Sequence, residues 1–98
     1  MANPNEIPLS DAIALTQRYK NSVDDRARRA FLIDKSVFTD LFAQDNATGV
    51  RCYLGLNTDN AIELVMVATD SDGKDLITIV MDHFTVCPIV CDMDSPLY

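Results

Sequence analysis

Three side chains near the end of the chain have types that do chemistry at close range: His83, Cys87 and Cys91, spaced at intervals of four. Imidazole and thiolate are zinc ligands, and Asp82, Asp92 and Asp94 stand nearby to offer a carboxylate as a further donor. Familiar zinc spacings join two close pairs through a longer loop, and this chain has one pair. Pro88 also keeps residues 83–91 from forming a regular helix that would line up all three ligands. Zinc held by His83, Cys87 and Cys91 is therefore one reading, beside the plainer one of a surface histidine and small apolar fillers.

The same cysteines, in Cys87-Pro88-Ile89-Val90-Cys91, also suggest a redox pair. The thioredoxin-type motif has two intervening residues and opens a helix that lowers the thiol pKa; here three intervene and no helix is signalled. A structural disulfide pinning the tail is a further alternative, suited to an oxidising compartment. Cys52 falls on the inward phase of an alternating strand and is expected in the core.

Other catalytic signals are sparse. With a single histidine, any Ser–His–Asp arrangement has to use His83. No Gly-x-Ser-x-Gly, phosphate-binding glycine loop or His-Glu-x-x-His occurs. Asp70-Ser71-Asp72-Gly73-Lys74-Asp75 has the opening of a calcium loop, but Gly73 comes early, Lys74 intrudes and the closing Glu is missing. A hairpin turn is the simpler expectation. Arg26, Arg28 and Arg29 form a local cation cluster suited to an anion or an acidic partner. Asp24 and Asp25 beside them favour a solvated face with weak pairs instead. These residues favour a protein that is not an enzyme and needs no cofactor.

The elements that must position these groups follow from period and punctuation. Pro4 and Pro8 make residues 1–8 an arm. Ser10 is the expected N-cap of a helix to about Ser22, marked by Ala12, Leu15, Tyr19 and Val23 at helical spacing. Ala30–Ile33 is a short buried strand. Asp34 then caps a second helix to about Gln44, with Val37, Phe38, Leu41 and Phe42 as its apolar stripe. Val50, Cys52, Leu54 and Leu56 alternate with polar or small residues, as in a half-buried strand. Residues 61–69 are apolar on both faces except for Glu63 and predict a central strand. The β-branched run 76–81 predicts a third, although period alone leaves residues 76–84 open to a helix. Residues 85–98 predict an irregular tail. The pattern is α+β: one domain over 1–98, with two N-terminal helices packed on one face of a small antiparallel meander.

Composition limits the partners. A net charge of −7 over 98 residues, with no long basic stripe, disfavours nucleic acid. No apolar run approaches the length of a membrane span, and the first residues lack an export signal, so the expectation is no membrane and a cytoplasmic location. An acidic inhibitor or immunity-type protein has this sign of charge, yet the carboxylates are scattered along the chain.

The segments Gly49–Asn57, Asp70–Leu76 and the ending Cys87-Pro88-Ile89-Val90-Cys91-Asp92-Met93-Asp94-Ser95-Pro96-Leu97 resemble a group of small bacterial proteins of unknown function. Their shared mark is a Cys-Pro-x-x-Cys tail ending in Ser-Pro-Leu. The resemblance implies a bacterial origin and a tail with a definite role, and supplies no activity or cofactor. The leading expectation is a non-catalytic interaction or assembly module that pairs with itself, as a homodimer or larger. Val65, Val67, Ile77, Ile79 and Met81 are the expected interface, because the later strands carry apolar residues on both faces.

Overall fold

Among the described residues, two antiparallel sheets and two helices make up the α+β fold. The structure is a computed structural model that describes residues 3–98; residues 1–2 of the expected arm lie outside the described residues. Asn3–Glu6 forms a turn closed by Glu6 N–H donating to the Asn3 carbonyl at 2.9 Å.

Helix α1 spans Leu9–Ser22, one residue earlier than its expected start. Ser10 is not the cap. Pro8 holds the N-cap position in extended backbone, and its carbonyl accepts from Asp11 N–H and Ala12 N–H. Strand β1 covers Ala30–Leu32, and α2 covers Lys35–Phe42. Asp34 caps α2 as expected, its carboxylate accepting from Ser36 N–H at 3.0 Å. The helix stops short of Gln44, whose side-chain amide turns back to donate to the Leu41 carbonyl at 3.0 Å. That bond satisfies a carbonyl left open by the last turn.

Strands β2 (Gly49–Leu56), β3 (Ile62–Thr69) and β4 (Asp75–Met81) form the meander, with β3 in the centre. Asparagine and aspartate make both of its turns. Asn57 Oδ1 accepts from the backbone of Asp59 and Ala61, and Asp70 Oδ1 from that of Asp72 and Lys74. Gly73 supplies the left-handed residue (φ 78°) that the second turn requires. The aspartates at 70–75 thus serve a hairpin, and the run 75–81 is strand.

The tail departs from its expected irregularity at its first residues. Thr85–Cys87 is strand β5, antiparallel to β1, with Ala30 opposite Cys87 and Leu32 opposite Thr85. Its partner lies more than fifty residues upstream, so no local pattern could reveal the pairing.

The core sits between α2 and the meander. Leu41, Met66 and Ala68 are buried, with Ile33, Val37, Val50, Leu64, Leu76, Ile79, Met81 and Phe84 packed around them. Only α2 has this role. Helix α1 buries no residue; Tyr19 donates to the Arg28 carbonyl, and Leu15 and Tyr19 line a groove with Ala30 and Leu97. Of the two helices expected over one sheet face, α2 contributes Leu41 and Val37 to the core cluster, while α1 engages the approach to β1 and the tail.

Leu41 is the test of this core. Leu41→Ala should cost about 2–5 kcal/mol in urea unfolding, because it empties a fully buried site. Leu54→Ala, on the same sheet face but 76% exposed, should change stability by less than about 0.5 kcal/mol.

Candidate interaction surface

The cysteines settle first. Cys87 and Cys91 are joined by a disulfide with their Cα atoms 4.9 Å apart, and Cys52 is the one free thiol. His83 is exposed, in left-handed backbone (φ 63°), and lines a concavity with Asp34, Lys35, Asp82 and Phe84 that contains neither cysteine. Among the described residues, no group of three His, Cys, Asp or Glu side chains is arranged to hold a metal ion. The suggested set of His83, Cys87 and Cys91 is not brought together, and both of its sulfurs are occupied by their mutual bond.

The disulfide instead borders a groove of about 330 Å³ lined by Arg29, Phe31, Leu32, Val90 and Tyr98. Arg29 fixes one wall. Its guanidinium donates to the Tyr98 carbonyl at 2.9 Å and lies 4.6 Å from the ring centroid, with the Lys20 ammonium at the same distance. Cation–ring attraction of this kind holds the tail over β1 and beside α1. Arg28 is also engaged, donating to the Ile62 carbonyl at 2.9 Å and pairing with Glu63 at 2.8 Å. Of the three arginines suggested as an anion contact, Arg28 and Arg29 hold the fold together and Arg26 is exposed.

The suggested apolar interface is redistributed as well. Val67 is buried, and Ile79 and Met81 pack into the core under α2; Val65 is half-buried, and Ile77 alone is exposed, at 73%. The uncovered apolar surface lies elsewhere on the meander. In the β2–β3 register, Val50, Cys52, Leu54 and Leu56 stand opposite Ala68, Met66, Leu64 and Ile62, so all eight share the core face. Helix α2 covers the Val50–Ala68 end, leaving Cys52, Leu54 and Leu56 exposed.

Length explains this. An eight-residue helix is about 12 Å long, whereas an eight-residue strand runs about 27 Å. Sequence reasoning placed Cys52 in the core and missed the exposure of Leu54 and Leu56. The signal that could have found them was the mismatch between a short helix and a long hairpin.

The opposite sheet face is braced by polar contacts. Arg51 pairs with Asp75 at 2.6 Å, and the Tyr53 hydroxyl donates to the same carboxylate. These bonds, the tyrosine's foremost, hold the Asp75 carboxyl below the ordinary carboxylate range. Glu63 is likewise held low, chiefly by the Arg28 guanidinium and then by Asn57.

No family model, curated protein or solved structure matches the chain. The surface itself must therefore carry the functional argument. Among the described residues, no helix is long and apolar enough to cross a membrane.

Because Glu63 and Asp75 have folded pKa values below their unfolded ones, their stabilisation is complete above the ordinary carboxylate range, about pH 4–5. It is lost as pH falls through the lowered values. Urea midpoints measured from pH 7 to pH 2 should drop at the acid end, and Glu63→Gln with Asp75→Asn should flatten that drop. Thiol titration of the unfolded, unreduced protein should find one reactive cysteine, rising to three after reduction. Cys87→Ser with Cys91→Ser should lower stability by about 2 kcal/mol, the loop-closure value for so short a ring.

Proposed function

We propose that this chain is a non-catalytic assembly module that associates with itself. One observation carries the reading. The chain exposes 7501 Å², whereas a folded monomer of this length exposes roughly 5,600 Å². The excess of roughly 1,900 Å² exceeds the roughly 800 Å² that each partner buries in a standard interface, and falls in the range of obligate dimers. The radius of gyration agrees: 15.3 Å, against roughly 13 Å for a compact chain of this size. The outline is flat, 42 × 40 × 21 Å, which raises the surface exposed for a given volume.

Composition supports a protein partner over other classes. The net charge of −7 opposes a polyanion, and the two best-placed arginines are already bonded within the chain. Leu54 and Leu56, exposed side by side on one sheet face, form the kind of contiguous apolar patch that marks a partner surface.

A second reading rests on the Cys87–Cys91 bond beside the Arg29–Tyr98 groove, and makes the tail a thiol-dependent element. It expects reduction to alter what the protein binds. The self-association reading expects the oligomer to persist after reduction.

Sedimentation velocity over a hundredfold concentration range is the direct test. A dimer or larger species, retained in reducing buffer, is expected. A monomer at every concentration would sink the self-association reading.

A further inference from the structure

We infer that two copies pair through the outer edge of β2, antiparallel about a two-fold axis normal to the sheet, to make one six-stranded sheet. The inference rests on the self-association reading above and specifies its interface.

The two edges of the meander are unequal. The β4 edge is irregular, its pairing with β3 slipping register between Met66 and Ala68. A slip of this sort is a usual protection against strand addition. Strand β2 has no such protection. Its ladder with β3 runs unbroken from Gly49↔Thr69 to Leu56↔Ile62, it contains no proline, and among the described residues the sheet order leaves its outer edge without a neighbour. An edge that is long, regular and apolar is a ready template for another strand.

Charge points to the same edge. Copies of a chain with net charge −7 repel one another over most approaches. Residues 46–58 are the longest stretch without a carboxylate, and they include Arg51. Of the two edge strands, β4 begins with Asp75, whereas β2 carries no carboxylate of its own and its Arg51 neutralises Asp75.

The bare half of the hairpin supplies the remaining argument. Antiparallel pairing sets the Leu54–Leu56 end of one β2 beside the Gly49–Val50 end of the other. A two-fold axis normal to the sheet keeps both α2 helices on the same face. The α2 of each copy then stands next to the other's uncovered Leu54 and Leu56, which are 76% and 69% exposed in the single chain. Phe42, exposed at the end of α2 that leads into β2, is placed to complete the cover. Each short helix caps half of its own hairpin and part of its partner's. The area to be covered fits, since the exposed excess is roughly twice the roughly 800 Å² per partner of a standard interface.

Cys52 makes the geometry measurable in the native sequence. It is exposed, it is the only free thiol, and it lies at the middle of β2. Pairing centred on the strand brings each Cys52 within roughly 10 Å of its copy. A short bis-maleimide should convert the protein to a covalent dimer on a denaturing gel, and Cys52→Ser should abolish that band. Leu54→Lys with Leu56→Lys, both at exposed positions, should raise the dimer dissociation constant at least tenfold by sedimentation. Leu15→Lys, on exposed α1, should leave it unchanged. A dimer that neither cross-links at Cys52 nor responds to the lysines overturns β2 pairing while leaving self-association standing. A dimer broken by Leu15→Lys and not by the β2 lysines overturns it as well. A protein monomeric at all concentrations removes both.

Discussion

The structure depends on one constraint: a two-turn helix must seal a sheet more than twice its length. Leu41 of α2 reaches Met66 and Ala68, and around that contact the chain assembles its only fully buried cluster among the described residues. The apolar residues at the far end of the hairpin have no helix above them. Burial of apolar surface is the main favourable contribution to folding. A domain that leaves this much of it wet has a small margin as a single chain. The assembly reading follows from that shortage of cover more than from any motif.

Polar contacts occupy the places that packing leaves. Arg28 ties the segment before β1 to β3, Arg51 and Tyr53 tie β2 to the start of β4, and Arg29 ties β1 to the tail. Each joins segments distant in sequence. Exposed ion pairs add little stability singly, so their effect here is mainly to fix how the pieces sit. Arginines that could have gripped an outside anion are spent inside the fold.

Much of the architecture was legible because its signals are local. The alternation at Val50–Leu56, the Asx turns at Asn57 and Asp70 and the Asp34 cap each act within a few residues. What stayed hidden depends on distance or on competition. The β1–β5 pairing needs a partner far upstream. The start of α1 turned on Pro8, whose carbonyl alone opens the helix, rather than on the side-chain acceptor that made Ser10 the expected cap. The site was less legible than the fold. An apolar residue on an inward phase is the same letter whether or not a helix lies over it, so Leu54 and Met66 look alike in sequence and differ completely in exposure.

The β1–β5 ladder has a kinetic meaning. The meander and α2 are built from neighbours in sequence and can form early and quickly, as local contacts do. Joining Ala30 to Cys87 closes a loop around all of them and comes at a larger entropic cost. Helix α1 and the Arg29–Tyr98 clamp rest on that ladder, and Ile33 and Phe84 beside it pack on the core cluster. The chain thus joins a nucleus built from neighbours in sequence around Leu41 to a long-range ladder whose flanking residues lean on that nucleus.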